Sequence, residues 1–242
     1  MERIDEIGFG GLRLIQDPQE FCYGVDAVLL AGFAADNCGT CRSIVELGAG
    51  NGAVSLILCH KTDAGSITAV EVQPGAAALA ARNAALNGLQ DRMHVLNTDI
   101  KVMDTERLKC DVVVTNPPYM EGGRGVTNPE SPRHVARHET TASLRDFFAA
   151  AGRLLPDGGQ LFMVHRPARL TDIISIAREY ELEPKIMRMV SPSPGNGANI
   201  VLLKCVRGGG RELKVLPELY VRDDNGEYTE EIKLIYEKQE EQ

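Results

Sequence analysis

Three consecutive valines, Val112-Val113-Val114, run directly into Asn116-Pro117-Pro118-Tyr119, and this junction constrains the chain more than any other. The apolar run Asp111 to Thr115 predicts a buried strand. The polar tetrapeptide then stands at the strand's carboxyl end, where open α/β sheets hold their ligands. Pro117 and Pro118 fix φ, lack an N–H, and push the residue before each out of the helical region. The exit from the strand is therefore stiff and extended, with carbonyl acceptors and no donors at the prolines. The Asn116 side-chain oxygen and the Pro117 carbonyl can together accept both hydrogens of one planar NH2 group. Tyr119 can stack on the flat group that carries this nitrogen. The plain alternative is a proline-rich turn with no chemistry.

The rest of the chain alternates strand and helix signals. Strands are expected at Ser43–Leu47, Ile67–Val72, Met93–Leu96, Asp111–Thr115, Gln160–His165, Lys185–Val190 and Asn199–Val206. Helices are expected at Asp26–Ala35, Gly52–His60, Gly75–Asn87, Ser143–Leu155 and Thr171–Tyr180, with Gly88 placed to end the third. This alternation predicts an α/β fold: a seven-stranded, mostly parallel, doubly wound sheet. The last two strands are joined by residues 191–197 with no helix between them, so they pair antiparallel. Residues 1–206 are expected to form one domain, with an N-terminal extension over 1–42. Gly8-Phe9-Gly10-Gly11 marks a tight turn in that extension. Residues 207–242 are expected as an acidic appendage on the same domain, with a strand near Leu219 and a helix from Thr229.

Bulk properties narrow the class. The chain has 242 residues, and 43% hydrophobic content is ample for a core. No apolar run is long enough to span a membrane, and the charged start lacks a signal-peptide pattern. Six scattered cysteines point to reduced thiols in a cytoplasm. Cys38 and Cys41 have metal-ligand spacing, but no second pair lies at zinc-finger distance, so an ordinary loop and no metal centre are expected. A monomer is expected.

The net charge of −8 argues at first against nucleic acid. Its distribution matters more. Residues 218–242 hold nine acids and three bases, whereas residues 185–214 hold six bases and one acid. Residues 121–145 hold four arginines against three glutamates, together with His134 and His138. Both basic segments are expected to flank the site and contact phosphates.

Glu46-Leu47-Gly48-Ala49-Gly50-Asn51-Gly52 joins the first predicted strand of the sheet to its helix. Glycines let the backbone turn tightly and a ligand touch main-chain atoms. Gly48, Gly50 and Ala53 also satisfy a dinucleotide fingerprint, with Glu71 about twenty residues on, so this loop alone allows a nicotinamide or flavin enzyme. Glu46, two residues before the first glycine, is a poor neighbour for a pyrophosphate and a good one for a cationic amino acid. Asn-Pro-Pro-Tyr resembles the catalytic motif of S-adenosylmethionine-dependent methyltransferases that alkylate exocyclic or amide nitrogens. The sheet likewise resembles the class I, Rossmann-like methyltransferase fold. That resemblance implies that Gly48, Gly50 and Gly52 cradle S-adenosylmethionine and that Glu46 helps hold its methionine end. It also implies that Glu71 takes the ribose hydroxyls, Asp99 the adenine amino group, and Asn116 a place beside both cofactor and target. Tyr23 and Asp26, in the segment before the loop, are implied as further cofactor contacts.

Tyr23 to Leu30, Glu46 to Gly52, Ala81 to Leu89, Asn116 to Tyr119, Ala136-Arg137-His138-Glu139 and Gly226 to Thr229, preceded by Gln16, together resemble one family more closely. It is the bacterial family of valine-tRNA adenine N6-methyltransferases, which modify the adenosine next to the anticodon. The resemblance implies tRNA as partner and catalysis by Asn116, Pro117, Pro118 and Tyr119. Arg124, Arg133, Arg137 and His138 would then grip the RNA from the following loop. Rival targets are a ribosomal RNA base and a glutamine amide in a release factor. Enzymes of the release-factor kind carry a helical domain before the glycine loop, and only about forty residues precede it here. A duplex-DNA enzyme would add a recognition domain, and a non-catalytic binding module would not need an intact Asn116.

Overall fold

The computed structural model describes residues 2–17, 23–119 and 142–237. Strands β1 (Arg3–Gly8) and β2 (Leu12–Gln16) form an antiparallel hairpin of their own. Its turn is the expected glycine cluster: Gly8, Phe9, Gly10 and Gly11 all have positive φ. The main sheet contains β3 (Ser43–Leu47), β4 (Ser66–Glu71), β5 (Met93–Asn97), β6 (Val112–Thr115), β7 (Gln160–His165), β8 (Leu182–Ser191) and β9 (Ile200–Arg207). Two-residue strands β10 (Lys214–Val215) and β11 (Leu219–Tyr220) extend it. The order is β10-β8-β9-β7-β6-β3-β4-β5, with β11 also paired to β8.

The seven expected strands are all present, and β9 alone among them runs against its neighbours. The two additional strands make nine. The strand expected near Leu219 is β11; β10 is unanticipated, because two residues are too few to show a period of two.

The sheet buries both faces. Val112 and Val114 join the core beneath helices α1 (Val25–Cys38), α2 (Ala53–Lys61) and α3 (Pro74–Leu86). Val113 points the other way, into a second core with α4 (Leu144–Leu154) and α5 (Leu170–Glu179). Successive strand side chains alternate faces, so a strand covered on both sides reads as a continuous apolar run. In α4, Leu144, Phe147, Phe148, Ala151 and Leu154 are buried at helical spacing. Ser143 caps that helix: its side chain accepts from the Asp146 N–H while the Asp146 carboxylate accepts from the Ser143 N–H. Gly88 has φ +65°, as expected of a residue ending α3.

Helix α1 starts one residue earlier and ends three later than the sequence pattern predicts. Asp26 lies in its first turn and does not cap it. The Cys38 and Cys41 sulfurs lie 3.8 Å apart, both side chains buried. The C-terminal helix α6 (Glu230–Tyr236) buries Ile232 in the same core as α1. Glu237 then binds Lys61 at 2.6 Å and His60 at 2.7 Å. No described helix is long and apolar enough to cross a membrane.

From β3 the chain proceeds outward through β4 and β5, then returns to place β6 on the other side of β3. That reversal opens a crevice at the carboxyl edge, between β3 and β6. Leu47 pairs with Val70 on one side and with Thr115 on the other. The glycine loop and Asn116 therefore leave adjacent strands side by side.

Candidate active site

The half of the edge over β3, β4 and β5 is built from main-chain contacts. Gly48 and Ala49 both donate to the Val70 carbonyl, at 2.9 and 3.0 Å. Gly48, Gly50 and Gly52 have φ of 72°, 54° and 81°. A Cβ on Gly52 would lie 2.6 Å from Met93 Cε and 3.1 Å from Ala80 Cβ, so packing as well as φ requires glycine there. A Cβ on Gly50 would meet nothing within 4 Å. That open flank is a cradle in which a ligand can approach the backbone. Buried Glu71 fixes the loop, because its carboxylate accepts from the Gly50 N–H and from the Gln73 N–H, each at 2.8 Å. Each oxygen keeps acceptor capacity for a hydroxyl.

Glu46 behaves differently from Glu71. It is turned beneath the loop, and its carboxylate accepts from the Ser55 N–H at 2.9 Å and from the Ser55 hydroxyl. Burial raises its pKa to about 8, against the opposing effect of the Ser55 hydrogen bonds. Asp99 stands just past the end of β5, half-buried; it accepts from the Lys101 N–H at 2.9 Å and lies 3.3 Å from the Lys101 ammonium. Tyr23 donates its N–H to the Gln16 side chain at 2.9 Å and packs against the hydrophobic core.

The half over β6 and β7 is built from side chains. Pro117 is buried, Pro118 exposed, and Asn116 and Tyr119 half-buried. The Thr115 hydroxyl donates to the Leu47 carbonyl at 2.9 Å and ties the strand end to β3. Among the described residues, neither the Asn116 amide nor the Pro117 carbonyl has a hydrogen-bond partner. The Tyr119 hydroxyl donates to Asp26 at 2.5 Å. Burial, and then this carboxylate, hold the Tyr119 phenol well above its usual pKa, so the ring stays protonated and neutral. The Arg166 guanidinium lies over the same ring, 4.6 Å from its centroid. His165 meets the ring at 5.2 Å and 66°. The Arg166 N–H donates to His165 Nδ1 at 2.8 Å, making that nitrogen the acceptor of the pair.

The fold thus brings Gly48, Gly50, Gly52, Glu71 and Asp99 to one edge, with Asn116 to Tyr119 alongside. Asp26 reaches this edge through Tyr119. Arg124, Arg133, Arg137 and His138 lie outside the described residues. The expectation for residues 185–214 is corrected. Arg207 pairs with Leu182 at the amino edge of the sheet, away from the site. Lys185 donates to the Gly210 carbonyl, Lys204 to that of Asn37 and Arg207 to that of Leu155, while Arg188 binds Glu231. These cations serve the fold, because a charge count along the chain carries no information about which edge a strand residue reaches.

Sequence reasoning also passes over His165 and Arg166, although their position at the end of a predicted strand is the signal that marks Asn116. It misses what Asn83 and Asn87 do. The Asn83 amide exchanges hydrogen bonds with both main-chain groups of Ile15 and donates to the Asn51 carbonyl at 3.0 Å. Asn87 pairs with both main-chain groups of Arg13. Asn83 on α3 and Asn87 just past its end, four residues apart, stand in for a strand beside β2 and connect the hairpin to the glycine loop.

A family model described as the methyltransferase small domain matches residues 23–174. A tRNA1(Val) (adenine(37)-N6)-methyltransferase of Aeromonas hydrophila is 32% identical over 186 residues, covering 76% of each chain. One of the same name from Parabacteroides distasonis is 32% identical over 172 residues, covering 71% of this chain and 70% of that one. The chain belongs to the tRNA1(Val) (adenine(37)-N6)-methyltransferase family. Its cofactor is S-adenosylmethionine, and the open flank of Gly50 beside Glu71 fits that group. Among solved structures, a predicted O-methyltransferase of Agrobacterium tumefaciens superposes with TM-score 0.69 at 22% identity, covering 88% of this chain and 96% of that one. A T. thermophilus 16S rRNA guanine N2-methyltransferase, in complex with AdoMet and guanosine, gives TM-score 0.61 at 19% identity, covering 86% and 51%. These two likenesses establish the shared fold.

Proposed function

We propose that this member methylates the exocyclic N6 of the unpaired adenine 37 in the anticodon loop of a tRNA. The observation that carries the reading is the pair of acceptors, the Asn116 side-chain oxygen and the Pro117 carbonyl, left without partners beside the cofactor loop. Together they accept the two N6 hydrogens and direct the nitrogen lone pair toward the methyl group. The cofactor supplies an electrophilic methyl on a sulfonium. Positive charge grows on nitrogen during transfer, and the two fixed acceptors stabilise it. The alkylated nitrogen is acidic and gives up its proton to water, so no strong base is needed. Neutral Tyr119, fixed by Asp26, offers its ring to a base unstacked from the loop.

On the cofactor side, Glu71 takes the ribose hydroxyls and Asp99 the adenine amino group. Glu46 acts at one remove: it fixes the start of α2 through Ser55, and thereby the loop that meets the methionine end. Arg124, Arg133, Arg137 and His138 remain proposed RNA contacts. Residues 207–237 are taken as part of the same domain, since Ile232 lies in its core. The test uses purified protein, labelled methyl donor and separate pools of tRNA, ribosomal RNA, DNA and release factor. Label is expected in tRNA; label in any other pool with none in tRNA overturns the reading.

A further inference from the structure

Arg166 follows the last residue of β7, two strands from the glycine loop and on the side away from Glu71 and Asp99. It uses one N–H to reach the Asn199 carbonyl at 3.0 Å and lays its guanidinium over Tyr119. Among the described residues it has no carboxylate partner. Its neighbours in charge are engaged otherwise: Arg169 binds Asp172 at 2.8 Å, Arg145 binds Glu179, and Arg178 binds Glu183 at 3.1 Å. A guanidinium held by a carbonyl and a ring keeps further donors in a fixed fork, which is the geometry that binds phosphate oxygens.

We propose that Arg166 is an RNA phosphate contact, fixed against Tyr119 so that the nucleotide is gripped by its backbone where its base meets Asn116. Stacking and phosphate binding are then coupled through one pair of side chains. Asp26 holds the hydroxyl of Tyr119, Arg166 covers a face of its ring, and His165 braces its edge. The ligand is a phosphodiester of the substrate strand. The carboxylate of the cofactor is the other anion at this edge, but the cofactor loop and its acids lie across β6 from Arg166. Arg166 is thus a positioning residue for the target. The inference rests on tRNA being the substrate.

The test compares wild type, Arg166→Gln and Arg166→Lys for binding of a tRNA transcript over a range of salt, with cofactor affinity measured by calorimetry. Loss of one phosphate contact in a single-stranded loop lowers the slope of log K against log salt by about 0.7. Arg166→Gln should show that drop and bind RNA about tenfold more weakly, as for one charge-assisted hydrogen bond. Arg166→Lys should keep the slope, and cofactor affinity should change by less than about twofold in both. A merely structural role weakens binding with the wild-type slope intact, and that result overturns the proposal. If wild type methylates tRNA while Arg166→Gln keeps the full slope, the phosphate assignment falls and the substrate reading stands. If wild type neither binds nor methylates tRNA, both fall.

Discussion

The two halves of the carboxyl edge are made in different ways. Over β3, β4 and β5, main-chain groups and the side chains that bind them fix the glycine loop, the proposed cofactor cradle: Val70 accepts from Gly48 and Ala49, Glu71 accepts from Gly50, and Asn97 donates to the Glu71 carbonyl at 2.8 Å. Over β6 and β7 the site is a chain of side chains drawn from three distant stretches, Asp26, Tyr119 and His165-Arg166. On the proposed reading, the cofactor is met by local backbone geometry and the target by long-range contacts.

If the halves are separable in this way, Asn116→Ala should cut single-turnover methyl transfer by about 10²–10³-fold, the range for losing one preorganised transition-state contact. Cofactor affinity, measured by calorimetry, should stay within about twofold of wild type. A parallel loss of both would show that the halves are one unit.

Gly52→Ala attacks the other half. The new Cβ meets Met93 and Ala80 at a positive φ, so stability should fall by about 2–4 kcal/mol, seen as a lower Tm. Cofactor binding should be lost with it. Gly50→Ala meets no atom within 4 Å and should cost only the φ strain, about 1–2 kcal/mol.

Tyr119 sharpens the comparison. Tyr119→Ala removes the stacking surface and should weaken RNA binding by about 1–3 kcal/mol. Tyr119→Phe removes only the Asp26 hydrogen bond and should cost about 1 kcal/mol. Equal losses would mean that the hydroxyl, and not the ring, is what the target needs.

Glu46 gives an effect of pH. Its folded pKa, about 8, lies above the ordinary 4.5. The stabilisation from its buried neutral form is therefore complete below about pH 4.5 and lost as pH rises through about 8. Chemical denaturation at about pH 6 and pH 9 should show wild type losing more stability than Glu46→Gln. Parallel curves would mean that the carboxylate titrates normally.

How much of this was legible in the sequence follows the same division. The seven long strands, their order of appearance and the reversed one were readable, because continuous apolar runs and glycine-terminated helices are local signals. The placement of Gly48, Gly50, Gly52 and Glu71 at one strand edge was readable for the same reason. The work of Asp26, Arg166 and Asn83 was not. Asp26 marks a predicted helix start, and its bond to Tyr119, ninety-three positions on, is a long-range contact that no local pattern carries. The bases of 185–214 read as a nucleic-acid surface because sequence does not show that Arg188 faces Glu231 or that Arg207 lies at the opposite edge. A two-residue strand carries no period: β11 is legible only as a strand near Leu219, and β10 falls below what a pattern can show.

The most direct test of the central claim, that this edge clamps a flat NH2 group, uses anticodon stem-loop RNAs that differ only at the target base. One carries adenine, one a purine without the 6-amino group, and one an adenine already methylated at N6. With labelled methyl donor and single-turnover conditions, the account predicts label in the adenine RNA alone, recovered on nucleoside mass spectrometry as N6-methyladenosine. Label in the RNA lacking the exocyclic amine, or a product methylated on a ring nitrogen, would contradict it.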